Sequence, residues 1–470
     1  MKKIYAVAIL AFILRLLWLR KNLFFGFEQG RDFLKLSEIA SGNLVLIGPK
    51  TDIDGIFHGA LSYYLPLPSF LVFQGSPFLV LVSFIAVHAI SVVFLFKFAR
   101  EAVNKKYAFI VAFLYAISYS SIVYSRWLGN PNLVPALTIF MLYCLQQAKE
   151  KKYFLVLAAG FWVTIFHLQL IAAVILVIPF LYYVVSERLG TKKSVVASTI
   201  LVAVLLSSYI LFNFKNDNIL VNSLNRYISS SERASGKYNL DEFYNETVDN
   251  YFPESRNIAL FVFAVVVTVN LINTKEDRHS RFLLVLFILA PLVFYVLHTS
   301  ALRHLYMLNS LFASLMVANT ARFFWERRYY AFFVVVLLVY SIGNISAIFS
   351  RLPESNRNFI HHAQRTYLRD ELALIDYIYA DAGGEKFSYD YFTVPYWQPQ
   401  AWQYLFKWYG QDKHKYTPEP NRTSIYYVLI EPDEGQPQFQ KDWYTDLESK
   451  GKLLDEYSSG KLKVEKRQEI

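Results

Sequence analysis

Apolar blocks long enough to cross a bilayer recur along the first three quarters of the chain, each closed by a short charged connection. They fall at about 4–20, 78–98, 107–124, 132–147, 153–168, 170–186, 194–213, 257–273, 282–298, 305–322 and 329–349. A run of roughly 18 to 20 apolar residues matches the hydrocarbon thickness, and in lipid only a helix satisfies its own backbone donors and acceptors over that distance. The pattern therefore predicts an all-α polytopic domain of about eleven transmembrane helices over 1–350. Alternate connections read "KFAREAVNKK", "QQAKEKK", "SERLGTKK", "KEDRHSR" and "RFFWERR". These Lys- and Arg-rich links, with Lys2 and Lys3, fall on one side of the membrane, which the positive-inside rule makes the cytoplasm. The N-terminus is then inside and the C-terminus outside.

On that topology the long polar segments all face outward: a first outer loop over 21–77, a second over 214–256, and a tail over 351–470. The first loop contains amphipathic stretches too short or too polar to cross, which suit helices lying in the membrane interface. The tail has alternating, strand-like "KFSYDYFTV" and "TSIYYVLIEP", with helix-like "TYLRDELALIDYIYADAGG" and "QAWQYLFKWYG" around them. It is long enough for its own core, so the tail reads as an extracytoplasmic α/β domain. No internal repeat or low-complexity linker divides the chain.

Composition agrees with this reading: 55% of the residues are hydrophobic and 18% charged. The net charge of +10 does not point to nucleic acid, because the basic residues mark inter-span links rather than one continuous stripe. The opening "MKKIYAVAILAFILRLLWLRKN" has the build of a secretory signal, but no small-residue cleavage site follows and more spans do, so it reads as a retained first helix. Cys144 is the single cysteine and lies inside a span, which excludes an internal disulfide and fits ordinary packing. Sequons at Asn245 and Asn421 lie in the outer segments, but such triplets also arise by chance.

Ionisable residues crowd the end of the first span, in "NLFFGFEQGRDFLKLSEIASG". If 27–38 is helical, Glu28, Arg31, Asp32 and Lys35 share one face. That face is either a solvated, ion-paired surface at the membrane border or a reactive one, since charges beside lipid are costly unless a water-filled cavity uses them. Farther along the loop, "FHGALSYYL" offers His58, Tyr63 and Tyr64. In the turn "YSRWLGNPNLVPAL", Asn130 and Pro131 have the form of a helix start with Asn130 as N-cap, and Arg126 presents a fixed positive charge suited to a phosphate. "HTSALRHLYMLNS" adds His298, His304 and Tyr306, and Arg303 is a basic residue on the outer side where the charge rule does not expect one. His167 with Gln169, and the two acids of "DIDG" at 52–55, have ordinary structural explanations as a bonded histidine and a turn. No HExxH or CxxC spacing offers a metal site, and there is no Walker loop, no GxGxxG after a strand and no GxSxG, which disfavours nucleotide-driven transport and serine hydrolysis.

The long first outer loop, the acidic motif past span one, "HGALSYYL", the Asn-Pro turn after span three and the outer tail together resemble the C-type membrane glycosyltransferases. The nearest branch is the protein O-mannosyltransferase and aminoarabinose transferase group, described as dolichyl-phosphate-mannose-protein mannosyltransferase-like. The resemblance covers about 1–350 in topology. It implies transfer of a sugar from a polyprenyl-phosphate carrier to a protein, lipid or cell-envelope glycan on the outer face, with inversion at the anomeric carbon. "EQGR" matches an acidic residue followed three positions on by arginine, which makes Glu28 the first choice for the catalytic base, with Asp32 the alternative. Asn130-Pro131 stands where the group has Asp-Pro, and His58 stands where some members have lysine. An amide cannot act as a base and is a poor metal ligand, so a second-carboxylate or metal role is in doubt there.

The resemblance, with the chemistry of these side chains, implies the remaining roles: Arg31, His58, Arg126, Arg303 and His304 for the donor phosphate, and Asn130, Tyr63, Tyr64 and Tyr306 for positioning substrate. No cofactor is implied, with a divalent metal left open. The expected partners are the lipid-linked sugar, an acceptor protein or lipid, and membrane lipids, with no nucleic acid. The expected location is a bacterial inner membrane. A lipid-linked sugar flippase is the alternative, and it should show paired inverted segments with broken helices, neither of which the sequence displays. A noncatalytic scaffold would leave the outer acids and arginines without a purpose.

Overall fold

A computed structural model of the protein describes residues 2–51, 53–229, 246–273, 306–353 and 366–470. The helical body contains α1 (Lys2–Leu16), the short α2 (Leu19–Asn22), α3 (Phe27–Ala40), α4 (Leu61–Tyr64), α5 (Leu67–Val72) and α6 (Pro77–Ala99). It continues with α7 (Ala108–Ile117), α8 (Tyr119–Ser125), α9 (Val134–Gln147), α10 (Tyr153–Leu168) and α11 (Leu170–Ser186). The last of its helices are α12 (Lys192–Lys215), α13 (Ile219–Ser229), α14 (Arg256–Asn273), α15 (Asn309–Glu326) and α16 (Tyr330–Ser350). The apolar blocks of the sequence fall on these helices, 4–20 and 107–124 each on two of them, except 282–298, which lies outside the described residues. By length and composition α6, α12, α14 and α16 are able to cross a membrane, and so is the bent pair α7–α8; the other apolar helices are shorter.

The block at 107–124 is not one straight helix. It breaks at Ser118 with a 61° bend between α7 and α8. Ser118 is extended, and the backbone groups freed by the break are taken up by side chains: Tyr119 N–H donates to Asn344 Oδ1 at 2.9 Å, and Ser118 Oγ accepts from Ser121 N–H at 3.4 Å. The fully buried Arg15 of α1 donates to the Ala116 carbonyl at 3.4 Å and to Ser121 Oγ at 2.8 Å. A guanidinium among apolar helices is costly, and here it stands where a broken helix leaves acceptors open. The expectation that the sequence held no broken helix is therefore corrected.

The loop over 21–77 folds back on the bundle. It supplies α3, α4 and α5, as the amphipathic pattern predicted, and also an antiparallel hairpin, β1 (Ile47–Lys50) with β2 (Phe57–Gly59), which the pattern did not reveal. The hairpin lies against α10 and α12: a Cβ on Gly59 would come 1.8 Å from His167 Nδ1, and Tyr209 donates to the Phe57 carbonyl at 3.0 Å.

The tail carries α17 (Leu368–Ala382), β3 (Ser388–Phe392), α18 (Gln400–Leu405), β4 (Ile425–Ile430), α19 (Pro437–Lys450), β5 (Gly451–Ser459) and β6 (Leu462–Glu469). Its sheet runs in the order β3-β4-β6-β5, with β3 parallel to β4 and the other pairs antiparallel. The expected strands and helices are present where "KFSYDYFTV", "TSIYYVLIEP" and the two helix-like stretches stand. The β5–β6 hairpin was not anticipated, because Lys, Glu and Asp crowd both strands and mask the alternation. The tail joins the first loop edge to edge: Phe24 bridges Tyr367, Leu368 N–H donates to the Leu23 carbonyl at 2.9 Å, and Trp408 Nε1–H donates to the Gln74 carbonyl at 2.9 Å. Tail and first loop thus lie on the same side of the bundle.

Candidate functional site

The site is built on α3. Its start is fixed by Gln29, which is buried and bonded at both ends of its amide. Oε1 accepts from Gly26 N–H at 3.1 Å, and Nε2 donates to the Leu128 carbonyl at 2.8 Å. The first bond occupies a donor that a helix start otherwise leaves open, and the second ties α3 to the turn between α8 and α9. On the opposite flank Gly30 meets the tail, where a Cβ would come 2.3 Å from Ala401 N. Phe33 packs edge-on to Phe25, Phe70 and Tyr404, with ring centroids 5.2 to 5.8 Å apart. These contacts fix the rotation of α3 about its axis.

That rotation turns Asp32 into a small cleft, partly open to solvent. Its polar lining includes Asp32, Ser62, Tyr63 and Asn130, and its apolar walls include Phe33, Leu36, Val80, Phe84 and Leu168. Asp32 Oδ1 accepts from Arg31 Nε–H at 2.9 Å and from the Tyr63 hydroxyl at 3.3 Å. Only 15% of the Asp32 side chain is exposed, against 31% for Arg31. Burial raises the Asp32 pKa above the usual carboxylate value, and the Arg31 charge pulls it partly back. Burial alone would lower the Arg31 pKa, but the Asp32 carboxylate outweighs it and the net shift is upward. Tyr63 is also raised, by burial and by the facing carboxylate, so it remains a neutral donor.

Asn130 lines the cleft but does not cap a helix as the sequence suggested. Helix α9 begins at Val134, with Leu133 as N-cap, and Asn130 sits in the preceding turn, where Asn132 N–H donates to the Gly129 carbonyl at 3.0 Å. The residue that holds this turn is Asn132. Its amide donates to the Ser125 carbonyl at 3.1 Å, and its Oδ1 and carbonyl both face His88 Nε2, at 3.1 and 3.0 Å. Asn132 belongs to the Asn130-Pro131-Asn132 turn signal, but His88 did not stand out in the sequence, because a lone polar residue in a span carries no spacing signal. Gln29 had one: a helix N3 position occupied by Gln is a known cap.

The other expected site residues are dispersed. Glu28 is exposed on α3 one turn before Asp32, while Lys35 pairs with Glu38 at 2.5 Å, so the four-residue charged face divides between cleft and solvent. Arg126 is 5% exposed and faces no cleft; NH1 donates to the Leu17 carbonyl at 2.8 Å and NH2 to Asn22 Oδ1. Its guanidinium clamps the end of α1 in place of the phosphate contact expected of it. Tyr64 is spent on the loop, exchanging bonds of 2.9 Å with the Val45 N–H and carbonyl. His58 lies on β2 and Tyr306 is buried just before α15, both away from the cleft lining. Arg303, His304 and His298 lie outside the described residues, as does Asp52 of "DIDG".

Among the described residues no group of three or more His, Cys, Asp and Glu side chains could hold a metal ion. At the cleft a single carboxylate, already bonded to a guanidinium, is a poor donor set for a divalent cation, which would meet the Arg31 charge and an amide at Asn130.

Residues 58–212 match the family model for dolichyl-phosphate-mannose-protein mannosyltransferase. Among solved structures, ArnT from Cupriavidus metallidurans in the apo state aligns over 98% of this chain and 97% of its own, at 11% identity and a TM-score of 0.60. The two chains share a fold over nearly their whole lengths. A looser likeness is to the archaeal oligosaccharyltransferase AglB from Archaeoglobus fulgidus in complex with an inhibitory peptide and a dolichol-phosphate, at 12% identity and a TM-score of 0.47 over 90% of this chain and 69% of that one. No curated protein matches the chain. The matched residues take in α4 and the turn at Asn130, and so cover the cleft except for α3.

Proposed function

We propose that this chain transfers a sugar from a polyprenyl-phosphate carrier to an acceptor, with Asp32 as the base. The observation that carries the reading is the Asp32 carboxylate facing a half-apolar cleft while paired with Arg31 and Tyr63. The acceptor would give its proton to Asp32 as its oxygen bonds to the anomeric carbon, on the face opposite the donor phosphate. The bond from that carbon to the phosphate oxygen breaks, and its electron pair leaves with the lipid phosphate, so the configuration inverts. Arg31 supports the growing charge on the departing oxygen, and a raised Asp32 pKa suits it to hold the proton received. The apolar walls offer a place for the first units of the lipid tail.

Glu28 was the first choice on motif grounds. In the proposal it keeps a place at the rim, where an exposed acid can orient the acceptor, and Asp32 takes the base position because it lines the cleft. Arg303 and His304 remain proposed phosphate contacts, and the reaction is proposed for the outer face of a bacterial inner membrane. A protein, lipid or cell-envelope glycan is the acceptor class.

The test is transfer of radiolabelled sugar from polyprenyl-phosphate donors to cell-envelope extract by purified protein in lipid, comparing the native chain with Asp32→Asn, Glu28→Gln and Arg31→Lys. Asp32→Asn should lose activity by about a hundredfold or more, and Glu28→Gln much less. Full transfer by folded Asp32→Asn would overturn the assignment. The flippase reading has one observation in its favour, the broken pair α7–α8, but side chains of Asn344, Arg15 and Ser118 bind groups at that break within the bundle. A flippase would move the lipid-linked sugar without consuming it, which the same assay reads.

A further inference from the structure

We infer that α13 is an interfacial helix whose outward apolar edge rests on the lipid surface beside the first outer loop. Three faces of α13 carry three kinds of residue. Toward the protein, Ile219 and Ser223 meet Gly55: a Cβ there would lie 2.1 Å from Ser223 Oγ and 3.4 Å from Ile219 Cγ1. Gly55 also has φ +74°, so only glycine suits both its backbone and this close approach. A second face holds Val221 and Leu224, which are 51% and 45% exposed. The third holds Asn222 and Asn225, both exposed. A helix at a plain water boundary has two faces; a third, bare and apolar, calls for a third medium.

The neighbouring helix says what that medium is. α13 follows directly on α12, whose most apolar stretch has no buried residue and is long enough to cross a membrane. The turn between them is fixed rather than free. Asp217 and Asn218 take left-handed backbone angles, φ 50° and 57°, which these short polar residues tolerate. Asn213 Nδ2 donates to Asn218 Oδ1 at 2.9 Å, Leu220 N–H donates to Asn213 Oδ1 at 3.1 Å, and Asn222 Nδ2 donates to the Asp217 carbonyl at 3.0 Å. The lipid that covers α12 is therefore continuous with the bare edge of α13. Lys215 at the end of α12 and Arg226 on α13 are both exposed at this level, where anionic headgroups lie. Through Gly55 the lipid contact reaches the loop that carries β2 and then α4, the element presenting Tyr63 to Asp32. This assignment concerns the bilayer alone and does not depend on the transfer reaction.

The single native cysteine, Cys144, is buried, so the full chain with Cys144→Ala is a background for site-directed spin labels. Single labels at Leu224→Cys and Val221→Cys are compared with Asn222→Cys and Asn225→Cys in phosphatidylethanolamine and phosphatidylglycerol nanodiscs. Val204→Cys on α12 is the lipid reference and Leu453→Cys on the tail the water reference. Collisions with lipid-soluble oxygen should exceed those with an aqueous nickel chelate at 221 and 224, as at 204, and the order should reverse at 222 and 225, as at 453. Nickel-dominated collisions at 221 and 224, with both references behaving as stated, would overturn the inference.

Discussion

Gly30 of the first outer loop and Ala401 of the tail approach so closely that a Cβ on the glycine would stand 2.3 Å from the alanine's backbone nitrogen. The atoms in the way are backbone, so they cannot swing aside. Gly30→Ala should push α18 off α3 and disturb the helix that carries Asp32. The expected result is a loss of stability of about 1 to 3 kcal/mol and lowered transfer, read by thermal unfolding in detergent and by the donor assay. Gly384→Ala, where no atom lies within 4 Å of the added carbon, is the control for an added methyl, although its φ of +90° adds backbone strain of its own.

Tyr63 touches Asp32 through one hydroxyl, at 3.3 Å. Tyr63→Phe removes a donor from the carboxylate and should raise the Asp32 pKa further, because the bond stabilises the charged form. The acid limb of the pH–rate profile should move to higher pH, with maximal transfer reduced about tenfold. An unmoved acid limb would separate Tyr63 from the base.

Glu431 is 6% exposed in the tail, and burial raises its pKa to about 7, against the pull of hydrogen bonds from Val394 N–H and Trp402 Nε1–H. Glu371, fully buried nearby, is also raised, by burial and by the Glu431 charge. A carboxyl with a native pKa above its unfolded one binds more protons in the folded state between the two values. Stability of the tail should therefore fall as pH rises from about 4.5 to about 7, by about 3 kcal/mol for Glu431 alone, and then level off. Glu431→Gln should flatten that slope, while losing part of the bonding to Trp402. Urea unfolding followed by tail fluorescence at several pH values measures it.

Trp397 has φ +60° and is 57% exposed, so a bulky residue holds a left-handed backbone without burial to offset its cost. Its loop is braced from below: Gln398 N–H donates to Thr393 Oγ1 at 3.0 Å, and Val394 N–H to Glu431 Oε2 at 2.8 Å. Trp397→Gly should stabilise the fold by about 1 kcal/mol, seen as a higher unfolding midpoint. A lower midpoint would mean that the indole packs in a way its exposure does not show.

The helices were legible because apolar blocks of bilayer length leave few other structures open, and the charged start of α3 was legible because Glu28, Arg31 and Asp32 follow directly on an apolar run. Which acid faces the cleft was not legible. The shared face of Glu28 and Asp32 is split by contacts from far along the chain, Gln29 with Leu128, Gly30 with Ala401 and Asp32 with Tyr63, and local spacing does not encode them. Arg126 misled for a related reason. A cation next to a turn reads as free to bind anions until the carbonyl of Leu17 and the amide of Asn22 are seen to occupy it. The β5–β6 hairpin escaped because charged residues fill both strands, and two of them, Glu465 and Arg467, are buried as an ion pair where an apolar position would be expected.

The bridge from Phe24 to Tyr367, with Thr366 Oγ1 donating to the Phe25 carbonyl 341 positions earlier, has a consequence for biosynthesis. A ribosome has released most of the polypeptide before the tail can reach α3, so a nascent chain cut short would carry Asp32 on a helix with one side unsupported. Competence would then arrive late and all at once, when a tail synthesised 341 positions after its docking site closes onto it.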